Sequence, residues 1–163
     1  MMAFTQKYGI IQLFEKIPEG TEFSSDKWPL HSTVVDVFAV NWDTSTLTEK
    51  LVRGLGNCVI AASTAEDDRY FGDSGEVKVT LLQKTDSLAR LHYDVVGLLE
   101  EGKWAPNDPQ FAKDGFLPHT TVQKHARLHQ GDEVTFDTLS LVDFYPNEDA
   151  YMRRIIKTIP IGQ

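Results

Sequence analysis

Apolar and β-branched residues come in short runs along this chain, and two longer segments carry them at helical spacing instead. The first run, Tyr8 to Ile17 (YGIIQLFEKI), predicts a strand that ends at the turn signal Pro18-Glu19-Gly20. The polar stretch TEFSSDK predicts a loop. Pro29 then introduces Leu30 to Val40 (LHSTVVDVFAV), a second strand rich in β-branched residues. Beyond it Leu47, Leu51 and Leu55 recur four apart, with Asp43 or Thr44 as N-cap and Gly54 and Gly56 marking the end of a helix. GLGNC lacks the G-K-[ST] of a phosphate loop and reads as the C-cap of that helix.

CVIAASTAE predicts a strand, DDRYFGDSGE a loop or hairpin tip, and Val77 to Gln83 another strand. Leu88, Leu91, Val95, Leu98 and Leu99 form one apolar face of a second helix behind a Thr85 or Asp86 cap. WAPNDPQFAKDGF is loop-like, and LPHTTVQKH is a strand entered from Pro118. EVTFDTLSLVDFY alternates as one strand as far as Pro146, and NEDAYMRRIIKTIPI turns and returns as the last strand. The order is β-β-α-β followed by β-α-β-β-β. Its irregular mixing predicts an α+β fold with mainly antiparallel sheets, not a doubly wound one.

A chain of 163 residues suits one domain over its whole length, or two small lobes sharing a core, and can bury that core without staples. Cys58 is the only cysteine and precedes VIAA, which predicts a buried strand residue rather than a reactive thiol. No run approaches the roughly 18 to 20 apolar residues of a membrane span, and the first ten residues show no secretory pattern, so the expected location is the cytoplasm. The net charge of −8 argues against a coat for long nucleic acid, which needs many Lys and Arg on phosphates. It leaves open an enzyme for a small nucleotide or an RNA end.

The candidate chemistry lies in two stretches that nearly rhyme, PLHSTVV (29–35) and LPHTTVQ (117–123). A strand puts residues i and i+2 on one face. His31 therefore points with Thr33, and His119 with Thr121. If the two halves face each other, two imidazoles that titrate near neutrality form an acid–base pair. The two hydroxyls can then donate to the non-bridging oxygens of a phosphate. Such a set suits cleavage or closure of a phosphodiester without a metal or other cofactor.

The two motifs, His31-Ser32-Thr33-Val34 and His119-Thr120-Thr121-Val122, resemble the paired H-x-[ST]-hydrophobic signature of the 2H phosphoesterases. That superfamily includes the 2′-5′ RNA ligases and the cyclic nucleotide phosphodiesterases. The resemblance implies a bilobal α+β fold of two mainly antiparallel sheets with flanking helices in pseudo-two-fold arrangement. Its four site residues face a central cleft, His31 and His119 as catalytic acid and base and Thr33 and Thr121 on the phosphate. It implies action on a nucleotide or RNA end with no metal, while the charge and the lack of an apolar span add the expectations of no long nucleic acid and no membrane, and the chain is expected to be a monomer. The sequence departs from the pattern at Ser32 and Thr120, where the family often has an apolar residue that packs behind the sheet.

Further substrate contacts are expected from Trp28 and Phe116, each three residues before a motif histidine, as aromatics that can stack a base. Gln123 and His125 would share the face of Thr121 if that strand continues. His125 lies in the basic run KHARLH, which Gln123 directly precedes and whose bland reading is a solvated loop. His92 reads as a surface or boundary residue on its helix. Two other classes stay open. One is a binding module without catalysis on the same fold. The other is a metal hydrolase using His119, His125 and His129, although the i, i+4 pair His125 and His129 has no carboxylate or cysteine signature beside it.

Overall fold

The computed structural model describes residues 6–162. Ten strands and two helices follow in the order β1 (Tyr8–Leu13), β2 (Glu22–Ser24), β3 (His31–Ala39), α1 (Thr44–Leu55), β4 (Ala61–Phe71), β5 (Val77–Leu82), α2 (Asp86–Glu100), β6 (Ala105–Pro106), β7 (His119–Thr121), β8 (Glu133–Phe136), β9 (Thr138–Asp143) and β10 (Met152–Pro160). The strands form one sheet in the order β2-β10-β9-β1-β3-β7-β5-β4-β8, with β6 added to β3. Every ladder is antiparallel. The architecture is therefore α+β, and where two sheets were expected the two half-sheets join through β3 and β7. Among the described residues no helix is long and apolar enough to cross a membrane.

Both helices begin where their caps predict. Asp43 accepts from the Thr46 amide at 2.8 Å and Thr85 from the Leu88 amide at 3.2 Å, each satisfying a first-turn donor. Leu47, Leu51 and Leu55 of α1, and Leu88, Leu91, Val95 and Leu99 of α2, are buried against the back of the sheet with Phe38, Phe136 and Leu139. Gly54 is not the stop signal it resembles. A Cβ there would lie 2.6 Å from Leu98, so the glycine lets the two helices approach, and Gly56 is the C-cap. A smaller cluster of Ile11, Val142 and Ile155, with Phe23, Trp28 and Phe144 packed on it, covers part of the other face.

Four local expectations are corrected. DDRYFGDSGE, read as a loop or hairpin tip, is the end of a polar hairpin whose strands run further than expected: DDRYF belongs to β4 and pairs with β5, Asp68 with Thr80 and Phe71 with Val77, and only 72–76 form the tip. TEFSSDK contains β2, which pairs with β10. The alternating run 133–143 breaks at Asp137, where the amides of Asp137 and Thr138 both donate to the Gln12 side-chain oxygen. The break sends β8 to β4 and β9 to β1, so one run of sequence serves both half-sheets. Cys58 is buried, but in the turn after α1, and burial pushes its thiol up to about 11.

His92 is the largest departure. Expected at the surface or its boundary, it is only 1% exposed. Its Nδ1–H donates to the Val34 carbonyl at 2.7 Å, and its Nε2 accepts from the Lys113 amide at 2.8 Å. Phe116 lies flat on the ring, with centroids 4.3 Å apart and planes within 5°. The imidazole thus ties α2 to the back of β3 and to the loop that leads into β7. Burial, the main cause, holds its pKa below the usual histidine value.

Candidate active site

One residue pair positions the four side chains. Ser32 and Thr120 are Cα partners in the antiparallel contact of β3 with β7. Antiparallel pairing then sets His31 opposite Thr121 and Thr33 opposite His119. Strand alternation puts all four on the face away from the helices. Ser32 and Thr120 turn to the back, each 1% exposed. The polar character of Ser32 has a use there: its hydroxyl donates across the join to the His119 carbonyl at 2.9 Å. Thr120 Oγ1 is buried with no hydrogen-bond partner among the described residues.

Each motif histidine is held in the same way. His31 Nδ1 lies 2.8 Å from the Pro29 carbonyl, and His119 Nδ1 lies 2.8 Å from the Leu117 carbonyl. A carbonyl only accepts, so each Nδ1 carries the proton and each neutral ring keeps a bare Nε2. The prolines stand at different offsets, two before His31 and one before His119, yet the accepting carbonyl is two residues back in both. Burial lowers the His31 pKa; the bond to Pro29 opposes this, and charge on His119 adds to the lowering. Both burial and a charge on His119 therefore favour the neutral form of the His31 ring.

Two cavities flank the row. One of about 380 Å³ lies on the His31 side, lined also by Trp28, Thr33, Asp36, Thr121 and Gln123. The other, about 220 Å³, lies on the His119 side, lined by Thr33, Asp36, Phe71, Phe111, Phe116 and Leu117. Each imidazole has an aromatic neighbour. Trp28 lies 4.6 Å from His31, backed by Phe23 and Phe144. Phe71 stands edge-on to His119 at 5.0 Å.

Of the expected residues, Trp28 and Gln123 reach the cleft. Phe116 reaches it as a wall, only 6% exposed and with one face already on His92. His125 does not line either cavity. β7 stops at Thr121, the Gln123 amide turns to the Ala126 carbonyl, and His125 pairs with Glu15 at 2.8 Å. His129 lies 4.0 Å from Asp132, so it does not join His119 and His125. Among the described residues no three His, Cys, Asp or Glu side chains group as metal ligands. Phe71 and Asp36 are cleft residues that sequence reasoning missed. Phe71 falls in the run read as a loop or hairpin tip, and Asp36 has the wrong parity for the cleft face of a regular strand.

This α+β architecture is that of known phosphoesterases. A crystal structure described only as a phosphoesterase superposes with a TM-score of 0.62 at 13% identity, covering 98% of this chain and 100% of the other. Escherichia coli LigT in complex with 3′-AMP superposes with a TM-score of 0.60 at 12% identity, covering 98% and 100%. A Thermus thermophilus protein gives 0.57 at 12% identity, covering 96% and 98%. No family model matches the sequence, and no curated protein sequence matches it.

Proposed function

We propose that this chain is a metal-independent phosphodiesterase of the 2H type, acting on a 2′,3′-cyclic phosphate or a 2′-5′ linkage of a nucleotide or RNA end. The observation that carries the reading is the pairing of Ser32 with Thr120, which sets His31, Thr33, His119 and Thr121 on one face with both Nε2 atoms free. The shared fold with phosphoesterases, one of them holding a nucleotide, supports it.

In hydrolysis of a cyclic phosphate, His31 Nε2 takes a proton from water as its oxygen bonds to phosphorus. The phosphorus–ribose oxygen bond breaks, and His119 Nε2–H gives its proton to the leaving oxygen. Burial of His31 suits the base role, because it favours the neutral ring. Thr33 and Thr121 donate to the non-bridging oxygens, where charge builds in the transition state. Run backwards, the same transfers close a diester, so ligation uses the same groups.

Turnover of a 2′,3′-cyclic nucleotide with and without EDTA tests the reading. Activity should survive the chelator and follow a bell-shaped pH profile, with its acid limb below the ordinary imidazole value because of His31. A profile flat from about pH 5 to 9, or loss in EDTA, counts against it. Binding without turnover would favour the non-catalytic module. Thr33→Val and Thr121→Val should each lower kcat/KM about 10- to 100-fold, the worth of one hydrogen bond to a charged oxygen. Unchanged kcat/KM in both variants would remove the threonines from the phosphate site.

A further inference from the structure

Among the described residues, neither cavity beside the histidines is lined by a lysine or an arginine. Phosphate sites commonly use one or the other. Among the lining residues the counter-charge to a bound diester is limited to the protonated imidazole of the acid–base pair, while the Arg153 guanidinium stacks on Trp28 and Phe144 at the edge of the His31-side cavity. That imidazole balances one phosphate.

Thr33 and Asp36 are the two residues that line both cavities. Asp36 reaches that position by a break in strand regularity. Parity would send it to the back with Ser32 and Val34, both buried. The β1–β3 register shifts on both sides of the Ile10–Val35 pair, between Tyr8 and Ile10 and between Ile10 and Ile11. Asp36 is left exposed at the junction of the cavities. Its carboxylate makes no hydrogen bond or ion pair among the described residues. Asp26 also lines the His31-side cavity, but Ser24 donates to it and Lys27 and Lys124 offset its charge. Asp36 is the acidic group there without such an offset. The His119-side cavity otherwise offers apolar wall from Phe71, Phe111, Phe116 and Leu117, with Phe111 and Leu117 about 40% exposed.

We infer that the cleft selects diesters whose only charge is that of the scissile phosphate, and that Asp36 is the residue that excludes a second phosphate. This rests on the diesterase reading above and narrows its substrate class. A nucleoside 2′,3′-cyclic phosphate with a free 5′-hydroxyl fits: one charge on the threonines and histidines, an uncharged body on the apolar wall. A 5′-phosphate on the same nucleoside brings a further dianion within a Debye length (about 8–10 Å) of Asp36 with no lining cation to meet it. Like-charge placement of this kind discriminates against a wrong partner.

The test compares kcat/KM for adenosine 2′,3′-cyclic phosphate and for its 5′-phosphorylated counterpart at low salt. The unmodified substrate should be favoured about tenfold or more. Asp36→Asn should narrow that ratio at least about threefold, and added salt should narrow it in the native protein but not in the variant. A ratio near one in the native protein, or a ratio that Asp36→Asn leaves unchanged, overturns the charge rule while the diesterase reading stands. Absence of turnover of both substrates overturns the diesterase reading and the charge rule with it. A loss of fold would lower both rates together and leave the ratio where it was, so the ratio separates a selective role from a structural one.

Discussion

His31→Ala and His119→Ala should each lower kcat for a 2′,3′-cyclic nucleotide about a thousandfold, within the range for loss of a positioned acid or base. Water cannot replace either ring efficiently, because each Nε2 is aimed by its own Nδ1–H···O=C bond at 2.8 Å. The double variant should lose little more than either single one, since the two rings serve the same transfer and half of the pair is nearly as poor as none. KM should move much less than kcat, because the threonines keep their hold on the phosphate. The two variants should differ in pH dependence. Losing His31 removes the acid limb, and losing His119 removes the alkaline one. A variant with a tenth of the native kcat would exclude its histidine from the chemistry.

His92→Ala should destabilise the fold by about 3–4 kcal/mol without touching a reacting atom. The change opens a cavity in the core and strands two buried backbone groups, the Val34 carbonyl and the Lys113 amide. A domain of typical stability survives that loss and remains measurable by urea denaturation. The same residue sets a pH dependence. The folded-state pKa of His92 lies below its unfolded value of about 6.5. The unfolded chain therefore binds the proton first, and stability falls as pH drops from about 6.5 through the folded pKa. The structural reason is plain: a charged ring has no lone pair to accept from Lys113. Native protein should lose stability between pH 7.5 and 5, and the loss should shrink in His92→Ala. It should not vanish, because the His31 pKa is lowered in the same direction. An identical slope in both proteins would remove His92 from the effect.

Much of this was legible in the sequence, for reasons particular residues make clear. Side-chain alternation on a strand is a local property, so HST and HTT declare which side chains travel together before any fold is known. Helix caps at Asp43 and Thr85 are local too. What escaped depends on partners distant in sequence. The polar DDRYF is a strand only because β5 pairs with it. His92 is a core residue only because Val34, Lys113 and Phe116 converge on it. Asp36 faces the cleft only because β3 slips its register against β1. The carbonyls that aim the histidines have no sequence signature, since every residue carries one. Ser32 and Thr120 depart from the pattern the motifs resemble, and the register explains Ser32 as a cross-strand donor.

The contact between β3 and β7 is a single rung, and that makes the cleft depend on the register of one residue pair. In a long ladder a slight loosening detunes a site by degrees. Here β7 is held to β5 by three pairs, so a slip at the single rung would carry His119 and Thr121 along with β5 and offset them together from His31 and Thr33.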